Sequence, residues 1–331
     1  MLTLKKVPHS RVDVGSLCPP GFPTVPDYSL QVSFVSPRPE LSQYLGVTYR
    51  RIPVLAIGND IYCDTNLIAA VLERRFPPSA GYGTLFPHRS ASKRTDATAI
   101  KIFTAHYIER AVFSAAADHL PWERLPPELI RDRSALVGSI LDVPTILSRR
   151  EESKSALSSH LSNLENQLAD GRDWLMDTVG PSLADIAAHF VFVWVRGMQT
   201  LGDILDAAVF PRTMLWFARM SAALDDLQKA KAAPFTRVPP EEAAKLIASF
   251  HPEDLSAVGF DAVEAMRLGV KLGDNVAVAP TDTGKVPTTG TLVALSREEV
   301  VIETQGSHAI VHCHFPRLNY SVKLAQGDTK L

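Results

Sequence analysis

The spacing of apolar and polar positions changes character several times along this chain. Between Arg50 and Pro77, in RRIPVLAIGNDIYCDTNLIAAVLERRFP, two short apolar runs flank Asn59-Asp60, and Leu67, Ile68, Val71 and Leu72 then recur at helical spacing. The pattern predicts a strand, a tight turn at Asn59-Asp60, a second strand starting at Ile61-Tyr62, and a helix capped by Asp64-Thr65. Pro53 follows Ile52 in the first strand, where a proline forfeits a ladder donor and marks an edge, a bulge or a cis bond. The helix start, with free N–H groups and small oxygen-bearing side chains, suits a carboxylate ligand.

From Ala91 to Phe250 the pattern is helical throughout. Ile100 to Ala117 alternates apolar and charged faces and carries Phe103, His106, Tyr107 and Arg110. Leu157, Leu161, Leu164 and Leu168 form one stripe that stops at Gly171, a C-cap residue. Ser182 and Asp185 make an S-x-x-D capping box, a structural feature, and open a helix so apolar on all sides that it belongs at the centre of its domain. Beyond His251-Pro252 the period becomes two. GDNVAVAP, GTLVALS, EEVVIETQ, HAIVHCHF and NYSVKL are β-branched runs separated by turn residues, and five such strands predict a small closed or half-closed barrel. Towards the N-terminus, residues 1–28 are rich in Pro, Gly and Ser and read as irregular, with VPHSRVDVG the one stretch suited to a strand. A strand is expected at Leu30 to Val35 and a helical turn at Arg38 to Tyr44.

The 331 residues suffice for two or three domains, and 46% hydrophobic with 21% charged residues is the balance of a globular protein. A net charge of −2 gives no electrostatic reason to bind nucleic acid or an anionic membrane. No apolar run reaches the roughly 20 residues of a membrane span, and no secretory h-region occurs. The three cysteines, Cys18, Cys63 and Cys313, are scattered, which fits a reducing cytoplasm. His312 and His314 alternate, so both leave one face of their strand while Cys313 leaves the other. Two histidines fall short of a zinc site's ligand count, and the expectation is packing on the barrel face with no metal.

Ile52-Pro53 followed by strand, turn, strand and the Asp64-Thr65 cap resembles the second half of the thioredoxin-like domain of glutathione transferases. The leucine-striped helix, the Trp-containing loop and Ser182-Leu-Ala-Asp185 are similar to that family's buried central helix. LGVTYRRIPVLAIG, IYCDT and HFPRLNYSV resemble phrases of a fungal subgroup with an added C-terminal β module. The resemblance implies a multi-domain α/β, α and β chain: a partial thioredoxin-like domain over 29–80, an all-helical domain over 86–250 and a β module over 265–325. It further implies glutathione as co-substrate, bound by Ile52, Pro53, Asp64 and Thr65. Phe103, His106, Tyr107 and Arg110 would line the pocket of an electrophilic or unsaturated small molecule, and a homodimer is in keeping with the family. The implied activity is conjugation or glutathione-assisted isomerisation, in secondary metabolism or detoxification. The alternative is a non-catalytic binding or scaffold protein.

In that family the loop after the first strand supplies the residue that acts on the glutathione sulfur. Here that place is held by SLCPPGFPTVPDYS, where Pro19, Pro20, Pro23 and Pro26 forbid a normal helix. Cys18-Pro19 is similar to the Cys-Pro start of the omega-type loop, and a cysteine at a helix N-terminus can be a nucleophile. Without its helix Cys18 reads better as a loop residue, Ser10 and Ser16 fare no better, and the catalytic residue stays unassigned.

Overall fold

A computed structural model describes residues 1–12 and 38–325. The strand expected at Leu30 to Val35, Ser16 and the candidate Cys18 lie outside the described residues. Helix α1 (Leu2–Lys5) and strand β1 (His9–Val12) come first, and α2 (Pro39–Ser42) is the expected helical turn. Strands β2 (Val54–Ile57) and β3 (Asp60–Cys63) form the expected hairpin and lead into α3 (Thr65–Arg75). The turn falls at Gly58-Asn59, one residue earlier than the pattern suggests, because Gly58 takes the left-handed φ of 64° that the reversal requires. Asp60 is thereby drawn into the strand.

The helix over Ile100 to Ala117 is continuous but not uniform. Helix α4 (Ala97–Ile102) passes into a π-helical stretch (Phe103–Val112) and then α5 (Phe113–Ala117). Helices α6 (Pro127–Val137), α7 (Val143–Ser148), α8 (Arg150–Gln167), α9 (Leu183–Arg196) and α10 (Pro211–Lys229) complete the helical region. The α8 stripe of Leu157, Leu161 and Leu164, with Leu168 after it, is buried against Phe192 and Val195 of α9 and Trp216 of α10 in one core. The capping box is formed: Asp185 accepts from the Ser182 N–H at 2.9 Å and hydroxyl at 2.7 Å. Its other oxygen accepts from the Leu175 N–H at 2.8 Å and the Trp216 indole at 2.9 Å. Ser182 and Asp185 are thus structural, saturated inside the core.

The helical pattern does not run unbroken to Phe250. Strand β4 (Phe235–Val238) interrupts it and pairs in parallel with β1, His9 opposite Phe235. Pro234 and Pro239 bracket β4 and deny a helix its donors, while Arg11 lies 3.7 Å over the Phe235 ring. Ser10 is engaged here, its hydroxyl 3.1 Å from that of Thr236. Helices α11 (Pro240–Ala248) and α12 (Ala262–Leu268) then lead to β5 (Asn275–Pro280), β6 (Thr288–Leu295), β7 (Glu299–Gln305), β8 (Ile310–Pro316) and β9 (Tyr320–Leu324).

All five predicted C-terminal strands form, but they do not close into a barrel. Instead they extend the hairpin into one open seven-stranded sheet of order β2-β3-β8-β7-β6-β5-β9. The reason is that β8 spends one edge on β3, pairing in parallel with Asp60 opposite His312 and Tyr62 opposite His314. Strand β9 pairs with β5, so the sheet ends there. The period of two sorts the residues of β3 and β8 between two interiors. Ile61, Cys63, Val311, Cys313 and Phe315 pack with Val300 and Ile302 in a strand core that includes Val47 and Tyr49. Tyr62 belongs to the helical core on the other side, beside α3. The incoming segment seats against the strands through Gly46, whose φ is 72° and where a Cβ would stand 2.5 Å from the Gln305 carbonyl oxygen.

Candidate functional site

Val54 pairs with Cys63, so Pro53 and Asp64 come out at the same end of the hairpin. The Ile52–Pro53 peptide is cis. Asp64 caps α3, its Oδ1 accepting from the Asn66 N–H at 3.0 Å. Its Oδ2 accepts from the Tyr320 hydroxyl at 3.2 Å, and Tyr320 is 3.0 Å from the hydroxyl of Tyr49. Burial pushes the Asp64 carboxyl up, against the smaller opposing pull of Asn66, Tyr320 and Arg51. Burial likewise raises the Tyr49 and Tyr320 phenols, so both stay protonated and act as donors. Asn66 Oδ1 is buried with no donor facing it among the described residues.

The π-helical stretch brings Glu109 to this end, where the Thr65 hydroxyl meets it. Its carboxyl is pushed up to about 7, first by desolvation and then by the charge of Asp64. Glu109 is an exposed residue, so a ligand arriving from solvent can reach it. Arg51 pulls on both carboxyls, but it is committed to Asp282 and the Thr283 carbonyl. Two carboxylates held above their ordinary range, with the available guanidinium engaged elsewhere, make this end of the hairpin receptive to a further cation.

The expected small-molecule wall is only partly assembled. Arg110 reaches Asp282 at 3.4 Å and so joins the rim near Arg51. Tyr107 turns towards α8, its hydroxyl 3.0 Å from His160 Nδ1 and accepting from Asn163 at 3.1 Å. Phe103 lies beside Tyr107, the rings tilted with their centres 5.2 Å apart, at the margin of the helical core, and His106 is exposed. A cavity of about 560 Å³ does exist in the helical region, but Arg196, Leu205, Phe217, Ser221 and Asp225 line it, and among the described residues no predicted site residue reaches it.

At the other end of β3 lies a second polar cluster, whose centre of Asp60, His314 and Glu299 is buried. His314 is 1% exposed; its Nε2 is 2.9 Å from Asp60 Oδ1 and its Nδ1 is 2.6 Å from Glu299 Oε1. Burial alone would lower the imidazole's pKa, but the two carboxylates outweigh it and hold the value above the ordinary one. Burial would raise Glu299, and His314 with Arg74 instead bring it down. Asp60 Oδ2 accepts from the Glu253 N–H at 2.6 Å and lies 3.7 Å from Arg75. Arg74 bridges Glu299 at 3.1 Å and Glu253 at 2.7 Å. His312 is placed differently: its Nδ1, 3.8 Å from Asp60, is buried without a hydrogen-bond partner, and burial lowers its pKa. The histidines therefore do share a face, as their alternation predicts, but that face meets α3 and Asp60 rather than the outside of a barrel.

Glu109, Tyr320, Tyr49, Asp60 and Glu299 were not singled out by the sequence pattern. The one signal for the enclosed cluster was polar residues alternating in otherwise apolar strands.

A family model described as a domain of unknown function (DUF7962) matches residues 118–229. No curated protein sequence matches the chain. Among solved structures, a GST-like protein from Pseudomonas syringae superposes with a TM-score of 0.66 at 23% identity, over 98% of this chain and 92% of that one. A Tau class glutathione S-transferase from mango, Mangifera indica, gives a TM-score of 0.38 at 17% identity over 60% of this chain and 77% of that one. The first likeness establishes a GST-like fold, with a helical middle region and C-terminal antiparallel strands within the superposed length. Among the described residues no helix is long and apolar enough to cross a membrane.

Proposed function

We propose that the hairpin end formed by Ile52, Pro53, Asp64 and Thr65 binds glutathione, and that the protein conjugates it to an electrophilic small molecule or uses it to isomerise an unsaturated one. The observation that carries this reading is the pairing of Asp64 with Glu109, two carboxylates held above their ordinary range beside a helix N-terminus. A γ-glutamyl group ends in an ammonium and a carboxylate. The ammonium answers the two acids, and the carboxylate answers the Thr65 hydroxyl and the free N–H groups of α3. Arg110 and Arg51 stand at the rim where the rest of the ligand would leave. A cytoplasmic role in fungal secondary metabolism or detoxification, with the chain as a homodimer, completes the proposal.

A second reading is favoured by one specific observation: Tyr320 and Asn66 already hydrogen-bond Asp64. A non-catalytic binding or scaffold protein would have its cap satisfied in this way. Two measurements on the full chain separate the readings. The enzyme is retained on immobilised glutathione and accelerates thiol addition to a chloronitroaromatic electrophile. Retention without acceleration supports the binding protein, and the loss of both defeats the glutathione proposal altogether.

A further inference from the structure

The enclosed cluster at the start of β3 has the makings of a metal site. We propose that Asp60, His312 and His314 bind one divalent transition-metal ion of the zinc type, which fastens the hairpin to the C-terminal strands. This is independent of the glutathione reading, because it involves none of the residues at the Asp64 end.

Four observations carry it. First, one ligand atom from each of the three residues lies within 4.8 Å of the others. Asp60 Oδ1 is 2.9 Å from His314 Nε2 and 3.8 Å from His312 Nδ1. Ligand atoms sharing a tetrahedral ion at bond lengths of about 2.0–2.2 Å stand roughly 3.4 Å apart, between those two separations. Second, His312 Nδ1 is buried and has no hydrogen-bond partner among the described residues, although it faces Asp60. A buried ring nitrogen in that state costs free energy unless something takes its lone pair or its proton.

Third, two of the three ligands are already oriented from behind by hydrogen bonds. His314 Nδ1 meets Glu299 at 2.6 Å, and Asp60 Oδ2 accepts from the Glu253 N–H at 2.6 Å. His312 Nε2 points towards Glu303 at 4.0 Å. Carboxylate and backbone partners of this kind fix the tautomer and ring plane of metal ligands and increase their basicity. Fourth, the charges do not balance. Once His314 Nε2 has given up its proton to act as a ligand, the four carboxylates of Asp60, Glu253, Glu299 and Glu303 outnumber the guanidiniums of Arg74 and Arg75 by two negative charges. A divalent cation cancels them.

The mixture of two imidazoles and one carboxylate selects zinc or a neighbouring transition metal over calcium or magnesium. Three protein ligands leave a position for water. Solvent has a route past Glu303, which is 46% exposed, and His312, which is 12% exposed.

The test uses the full chain, stripped with a chelator and titrated with Zn²⁺ by calorimetry. The expected result is one equivalent bound, a rise in the unfolding temperature on loading, and a loss of this binding in His312→Gln. That variant alters the most accessible ligand and leaves the His314 hydrogen bonds in place. Glu299→Gln should weaken the site by about 10–100-fold without abolishing it. Should His312→Gln not fold, wild-type protein loaded with Co²⁺ still decides the question. Two exchangeable, paramagnetically shifted imidazole N–H resonances are expected, one from each histidine. Failure of the wild type to bind Zn²⁺, unaltered binding by folded His312→Gln, or a Co²⁺ spectrum without two such resonances overturns the proposal.

Discussion

Asp60 and Asp64 stand at the two ends of one four-residue strand, and their surroundings are opposites. Asp60 is wholly buried yet surrounded by donors and cations: His314, the Glu253 N–H and Arg75. Asp64 is half-buried, and burial pushes its carboxyl up because its donors are neutral and the Arg51 guanidinium that pulls on it is committed to Asp282. The difference shows how one strand can serve architecture at one end and binding at the other. A carboxylate buried among donors from three separate segments holds parts of the chain together, whereas one at an accessible hairpin end, with its guanidinium committed elsewhere, is an invitation to an organic ligand.

The contrast breaks most visibly at Asp60. Asp60→Asn leaves His314 facing one carboxylate instead of two and is expected to cost about 3–5 kcal/mol, as loss of one partner from a buried charge network does. Urea unfolding measures it, and a cost below about 1 kcal/mol would mean that Asp60 is no better anchored than Asp64. At the other end Asp64→Asn should keep the fold, with stability changed by no more than about 1 kcal/mol. The same variant should weaken glutathione retention about tenfold or more, the worth of a charge-assisted hydrogen bond. Unchanged retention would detach Asp64 from the proposed site.

A pH titration sharpens the comparison. Asp64 and Glu109 have folded pKa values above their unfolded ones, so between those values the folded state holds more protons. The stability they contribute is therefore greatest at low pH and declines as pH rises through that window. Binding of an ammonium runs the other way and strengthens as Glu109 ionises near 7. Glutathione affinity measured on both sides of that pH should rise across it in the wild type and flatten in Glu109→Gln; parallel profiles would remove Glu109 from the site. The smallest effect is expected from Tyr320→Phe, which deletes one hydrogen bond to Asp64 and should cost about 1 kcal/mol while glutathione retention persists. If retention disappears with the hydroxyl, Tyr320 belongs to the site rather than to its support.

Local chemistry made much of this fold legible in the sequence. The hairpin, the Asp64 cap, the leucine stripe and the Ser182–Asp185 box each depend on residues within one or two turns of one another. The cis Ile52–Pro53 peptide was among the three explanations that a proline at a strand invites. What escaped was pairing at a distance. Nothing near His9 announces that β1 will lie beside β4, although Pro234 and Pro239 argue locally against a helix between them. Nothing near Asp60 announces His314, and without that parallel pairing five alternating runs read naturally as a closed or half-closed barrel. His312 and His314 were assigned correctly to one face, but what that face would meet depended on α3 and on a segment some 60 residues upstream in Glu253. Glu109 was hidden for a subtler reason: it sits on the charged side of an amphipathic pattern, and only the π-helical geometry of Phe103–Val112 brings it to Thr65.

The parallel register of β3 with β8 also dictates a timetable. Asp60 and His314 are 254 residues apart. A ribosome adding about 5–20 residues per second needs roughly 13–50 s to cover that distance, during which the β3 edge has no partner strand from β8. Throughout that interval the nascent chain presents an open β-strand edge, with a carboxylate at its start that will later be buried. The early portion of this protein must therefore remain soluble on its own, or be shielded by a chaperone, until β8 has been made.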